Sequence, residues 1–429
     1  MEGCRAAGRR CSRRGAPVMR QRWLAGFALA ALLSPPAGCL GEDAQGVLVS
    51  SGRSGRAAPE VAWMASFGGS GEESHGHFIL ALEDGGFLQV GETGFIPDSA
   101  RLFVVKVNAE GKLQWKQEFG SRGHNLGNSA LETGGGYVVV GALGEDSAIM
   151  ELDKATGEPL WARTHDYGGS DAIEHLVQVP GGFAAVGYTA AEDDENTFFT
   201  EGRGHLMLLG PRGERVSDRS LAAHMAQAYR IAEHGGALFI SGLTDGAEDY
   251  ALLKASPTGE VEWAKTFGGA APDHNFAFGV ASDGSMFLSG HTLSGTENWD
   301  TFTVKVDGEG EVLWAATRGN PRGFDPEFIH DEAWGLRAME GGGVAVVAGT
   351  GDEYRGYSEC EGEECSDAWR VYVLMFDGNG TLEWEATYGP AEGGDWAGED
   401  ICVTDEGDLV VAVDSGEFGF LKLDVANME

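Results

Sequence analysis

Polar residues able to act together recur at one place in the chain's internal pattern. Aligned on the recurring Gly-Gly turns, His75, Asn125, Asp171, Met225, His274 and Glu332 share a column nine residues before the turn. Imidazole, carboxamide and carboxylate groups gathered this way could converge on an ion or a small ligand. His77, Trp299 and Asp300 stand beside the same stretches and complete the set of binding candidates. The competing reading is a set of solvated loop residues that cap neighbouring elements, and the mixture of residue types weighs toward it. No cofactor is expected. Calcium is kept in view as the exception, although no Asp-x-Asp-x-Asp-Gly loop occurs; whether any metal binds stays unknown.

Catalytic signatures are missing. Neither Gly-x-Ser-x-Gly nor His-Glu-x-x-His is found, so nothing supports a serine-hydrolase elbow or a zinc-peptidase helix. The 429 residues hold 30 Lys+Arg against 67 Asp+Glu, a net charge of −37. A chain this acidic repels phosphates, and no nucleic-acid partner is expected. Its 68 glycines, about twice the usual share, would each cost about 1 kcal/mol inside a helix, which excludes a helical bundle. With 42% hydrophobic residues and 11 tryptophans, the chain can bury a large core and is not of the disordered class.

A column of this kind needs a repeating scaffold, and the tryptophans mark one. Trp63, Trp115, Trp161, Trp263, Trp314 and Trp384 share a context, and Ser217 fills the same frame because Gly213-Glu-Arg-Val-Ser217 parallels Gly259-Glu-Val-Glu-Trp263. The intervals of 52, 46, 56, 46, 51 and 70 residues are those of four-stranded propeller blades. Each repeat contains four short apolar runs separated by turns such as Asp84-Gly85-Gly86. The expected fold is all-β, a single seven-bladed β-propeller over residues 60–429, with eight blades as the alternative. Residues 61–67, a strand without a repeat of its own, should complete the last blade and close the ring. Residues 221–232 are a helix candidate that breaks the pattern. Gly91, Gly141, Gly187, Gly242 and Gly290 close the second strand and should leave room for close packing between blades. Short turns should gather on one face. The long loops 93–100, 190–204, 292–300 and 351–369, with the polar candidates, should gather on the other, which is the expected binding face.

Trp-x-x-x-Phe-Gly-Gly, Asp-Gly-Gly and Lys-[Leu/Val]-Asp-x-x-Gly-x-x-x-Trp resemble the repeats of a class of bacterial propeller proteins. Leu152-Asp153-Lys154-Ala155-Thr156-Gly157-Glu158-Pro159-Leu160-Trp161 also resembles the tryptophan-docking repeat of quinoprotein dehydrogenases, which the non-enzymatic propeller lipoprotein of outer-membrane barrel assembly shares. The resemblance implies an exported, often lipid-anchored protein. The expected role is a non-enzymatic binding or scaffolding module, monomeric, for an envelope protein, a cationic peptide or a glycan. A quinoprotein-like or hydrolytic enzyme with a loop-built site is the alternative, and a structural cell-surface protein is a further one.

Residues 1–38 hold seven of the basic residues and one acid, leaving 23 Lys+Arg against 66 Asp+Glu, or −43, on the remainder. The apolar run 23–33 fits a signal-peptide core and is too short to cross a bilayer. Ala37-Gly38-Cys39 resembles the bacterial lipoprotein signal, which implies a diacylated Cys39 as the new N-terminus and an anchor in the outer membrane, on its periplasmic side or at the cell surface. Met19 is a second candidate start. Residues 39–59 read as a flexible tether. Export favours a local disulfide between Cys360 and Cys365, with a metal site using Glu361, Glu363 and Glu364 as the sharper alternative; Cys402 reads as a small buried residue. Two acyl chains suffice for stable anchoring, so the intact chain should partition into detergent and Cys39→Ala should not. An unmodified residue 39 in the intact mass would remove the anchor.

Overall fold

Short apolar strands joined by tight turns pair with their neighbours in sequence, so each repeat folds into one antiparallel sheet. Seven such sheets stand around a ring in the computed structural model, which describes residues 47–51, 57–95, 99–191, 202–244, 246, 249–323, 326–352, 369–391, 394–426 and 428. The fold is the expected seven-bladed propeller. Cys39, Cys360 and Cys365 lie outside the described residues.

The innermost strands of blades 1 to 7 are Ser74–Ala81, Asn125–Glu132, Ser170–Val179, Gln227–His234, Asp273–Val280, Ile329–Ala338 and Ala397–Val403. Second strands such as Tyr137–Leu143 and Leu409–Asp414 are buried along nearly their whole length, because another sheet covers each of their faces. The large apolar clusters lie between adjacent blades. Leu88, Val90 and Val104 of blade 1 pack on Tyr137, Val139 and Met150 of blade 2, and equivalent clusters fill the other six interfaces.

The tryptophans fasten each outer strand to the following blade. Glycines at positive φ in the third turn of a blade, Gly111, Gly157, Gly213, Gly310 and Gly380, sit so close to Trp63, Trp115, Trp161, Trp263 and Trp314 that a Cβ would strike the ring. The Trp115 indole N–H also donates to the Lys154 carbonyl at 3.1 Å. Ser217 pairs with Leu208 as Trp263 pairs with Lys254, so it does occupy the tryptophan frame, with Arg219 covering Gly259 instead.

Ring closure follows the expectation. Glu60–Phe67 pairs with Phe418–Asp424 and becomes the outer strand of blade 7, while its Trp63 reaches Gly111 and Phe87 of blade 1. Two expectations need correction. Residues 221–232 are not helical: they form a turn and then the inner strand of blade 4, because burial of Ala228 and Ile231 in the ring overrides local helix propensity. Val47–Ser51, assigned to the tether, adds a fifth strand to blade 6 against Leu382–Pro390.

Removing residues 61–67 should strip the last blade of its outer strand and release the contact with blade 1 together. Nearest-neighbour coupling makes that loss large, and aggregation or a melting temperature lower by many degrees is expected. Trp63→Ala, which keeps the strand pairing, should cost roughly 2 kcal/mol, about half the penalty of a fully buried tryptophan. An unchanged melting curve for the deletion would mean that the ring is sealed elsewhere.

Candidate functional site

Every inner strand carries one residue more than its partner at the same level. The register between inner and second strand slips at His77, Asn128, Glu174, Tyr229, Phe276, Trp334 and Glu399, a β-bulge at this level in every blade, with a further shift between Ser170 and Ala172 in blade 3. A bulge re-aims a side chain away from the regular alternation, and here all seven re-aimed side chains line the central channel.

The second-strand glycines make the bulge possible. A Cβ at Gly91, Gly141, Gly187, Gly242 or Gly290 would overlap the carbonyl oxygen of His75, Leu126, Ala172, Gln227 or His274 on the inner strand of the same blade. The close packing expected of these glycines is therefore within a blade, where the bulged backbone presses on the second strand, and not between blades.

The resulting ring has two halves. Blades 4, 5 and 6 supply a wall of rings: Phe276 lies 4.9 Å from Tyr229 and 4.3 Å from Trp334, centroid to centroid. Blades 7, 1, 2 and 3 supply Glu399, His77, Asn128 and Glu174. They surround a cavity of about 80 Å³, several times the roughly 10–15 Å³ that one water needs. An ion pair lies alongside: the Arg337 guanidinium donates to both Asp400 carboxylate oxygens, at 3.1 and 3.0 Å, and to the Ile79 carbonyl at 3.3 Å.

Electrostatics separates the carboxylates. The His77 ring nitrogen lies 2.5 Å from Glu92; burial opposes its charge, yet the Glu92 carboxylate prevails and raises its pKa. His75 lies 2.8 Å from Asp414, and this partner outweighs burial to push its pKa up to about 11. Glu174 and Glu399 make no hydrogen bond or ion pair among the described residues. Burial drives Glu174 up to about 7 against the pull of Arg230. Burial and the nearby Asp414 charge drive Glu399 up to about 8.

The sequence candidates fall into three groups. His77 belongs to the ring, with His75 above it. Asn125 and Asp171 are buried loop caps: Asn125 bonds the Ala100 carbonyl and the Gly144 N–H, and Asp171 accepts from the Tyr167 and Ala190 N–H groups. His274 and Trp299 meet His291 edge to face, at 5.3 Å between the imidazoles and 4.8 Å from Trp299 to each. Glu332 is buried beside His330 at 3.6 Å; burial opposes its charge, yet the His330 contact and the neighbouring histidines lower its pKa. Asp300 opens the third strand of blade 5, and burial pushes it up to about 6. Cys402 is buried with its thiol pushed up to about 12. Among the described residues no group of three His, Cys, Asp or Glu is placed to hold a metal.

Counted from the bulge, His75, His274 and Glu332 lie two residues before it, Asn125 and Asp171 three, and Met225 four. A column aligned on turns of unequal length mixes three registers, which is why it missed Asn128, Glu174, Tyr229, Phe276, Trp334 and Glu399. The signal was present: the bulge residue lies thirteen or fourteen positions before the second-strand glycine in blades 1 to 5.

No protein-family model matches the chain. Regulatory protein FlaEY of Caulobacter vibrioides is 27% identical over 188 residues, which is 38% of this chain and 18% of that protein's length. Among solved structures, the WD40 propeller of Doa1 covers 85% of this chain and 96% of its own at 14% identity and a TM-score of 0.50. The Neurospora crassa Pan2 WD40 domain covers 82% and 90% at 11% identity and 0.53. A catalytically inactive virginiamycin B lyase from Staphylococcus aureus, solved with quinupristin, covers 84% and 99% at 13% identity and 0.52. At these identities the likeness is one of fold.

The ring makes stability depend on pH. Between the ordinary glutamate value of 4.5 and the raised values of about 7 and 8, the folded chain keeps protons that the unfolded chain releases, so stability falls as pH rises through that window. His75 acts in the same direction: its contribution is full below 6.5 and is lost as pH climbs toward about 11. The urea midpoint should decline from pH 5 to 9, and Glu399→Gln should flatten the slope between pH 5 and 8. An unchanged slope in the variant would mean that Glu399 ionises in the folded chain as it does in water.

Proposed function

We propose that this chain is a non-enzymatic binding module of the bacterial envelope, lipid-anchored through Cys39, that receives a protein or peptide partner on the long-loop face and into the channel mouth. One observation carries the reading. All seven blades spend a bulge to present a side chain at the same level of the channel, on a scaffold whose interfaces are otherwise filled by apolar residues. Antiparallel pairing supports the choice of face. It puts the connections from second to third strand and from outer to next inner strand together, and those wholly within the described residues range from the single residue 124 to the seven of 293–299. The opposite face has only tight turns. The acidic surface favours a basic partner.

Photo-cross-linking residues placed at exposed positions in intact cells test the reading. Positions 72 and 297, in long-face loops, should give discrete higher-mass adducts, and positions 110 and 309, at exposed short-turn residues, should not. Adducts confined to the short-turn positions would reverse the assignment of faces. Cross-links at neither face would leave no partner for the module and overturn it.

A further inference from the structure

Two carboxyl groups face the same cavity as three aromatic rings that pack on one another across blades 4 to 6. Glu174, 8% exposed, and the part-buried Glu399 stand on the blades that flank the aromatic wall, and neither has a hydrogen-bond or ion-pair partner among the described residues. The other carboxylates of this region are engaged: Glu92 by His77, Asp414 by His75 and Asp400 by Arg337. Burying a carboxyl that is left without a partner is costly, and a ring that keeps two of them has room for a positive group to come.

We propose that the cavity is a receptor for an ammonium group, a protonated or N-alkylated amine whose charge sits at Glu174 and Glu399 and whose carbon atoms lie on Tyr229, Phe276 and Trp334. The inference rests on the long-loop face being the binding face and names the chemistry that its channel selects. Aromatic faces attract cations through the ring quadrupole, and most strongly where water is excluded. Weakly hydrated alkylammonium groups suit such a wall, and nearby carboxylates supply the full charge. A cavity of about 80 Å³ admits a side-chain tip or a small headgroup, not a folded segment. Arg230, whose guanidinium donates to the Tyr229 carbonyl at 3.1 Å, lines the cavity beside Glu174, so an entering amine needs both Glu174 and Glu399. The net charge of −37 gathers cations at the mouth.

Binding should release protons. In the empty cavity Glu399 is faced by His77, His75, Asp414 and Glu332, and Glu174 by Arg230 and His77. Both glutamates are pushed up by burial, and an entering cation favours their ionised forms. Choline carries a charge that does not titrate, so any proton released on its binding comes from the protein.

The full chain is titrated with choline, with its uncharged isostere 3,3-dimethyl-1-butanol, with N-acetyl-lysine amide and with glucose, followed by calorimetry and tryptophan fluorescence. Choline or the lysine derivative should bind saturably, with the isostere at least tenfold weaker and glucose silent. Affinity for choline should rise at least threefold from pH 6 to 8.5, with proton release. Glu174→Gln and Glu399→Gln should each weaken binding at least fivefold while the melting temperature holds. Tighter binding of the lysine derivative points to a peptide side chain, and tighter binding of choline to a quaternary headgroup; either supports the inference. Equal binding of choline and the isostere, glucose binding with the amines silent, or Gln variants that bind choline as the parent does would overturn it. The isostere comparison uses the unaltered chain and decides the matter even if a variant fails to fold. Silence of every amine sinks the ammonium inference alone, because face-specific cross-links judge the docking reading separately.

Discussion

One extra peptide unit on each inner strand is the constraint from which the site follows. A regular strand alternates its side chains between the two blade interfaces and would leave the channel lined mainly by backbone. The bulge breaks that alternation once per blade and turns one side chain inward. It also pushes a carbonyl against the second strand, where only glycine accommodates it in five blades. Blade 7 departs from the rule: Val413 stands on the second strand opposite Gly398, and a Cβ at Gly398 would meet Val347 and Ala348 of blade 6. In the five blades where the second-strand glycine takes up the bulged carbonyl, it belongs to the site as much as to the fold.

A second interaction repeats with the same period and has a different task. Tryptophan on the outer strand and glycine in the next blade's third turn lock neighbours together at the rim, while the bulges set the channel. The two devices lie at opposite edges of each sheet, so residues of the ring can differ from blade to blade without disturbing the locks. Aromatic residues in blades 4 to 6 and polar ones in the remaining blades express that freedom.

Much of the fold was legible because its determinants are local. Tryptophan spacing, paired glycine turns and an unpartnered strand at residues 61–67 are all read within a few residues, and they fixed blade number and closure. The ring was not legible in the same way, because a bulge is a relation between two strands. Asn125 and Glu174 look equally polar in a one-dimensional alignment, yet one caps loops through the Gly144 N–H and the other lines the cavity, a difference set by where the register slips. The fifth strand of blade 6 was missed for a related reason: Val47–Ser51 is too short to signal itself, and its partner, Leu382–Pro390, lies more than three hundred residues away.

Buried charge of this kind is tolerable only in a scaffold whose stability comes from elsewhere. Glu174 and Glu399 lower stability wherever they ionise, and the pH window of that effect spans neutrality. The seven apolar interfaces carry the opposing contribution, and each depends mainly on its two neighbours, so a local loss at the channel does not propagate through the rim. A closed ring also lacks free sheet edges apart from its short outer strands, which removes the usual route by which a locally strained β-protein associates. The channel is thus a region where unfavourable side chains can be held in place, and held side chains that favour neither folding nor packing are what a binding site requires.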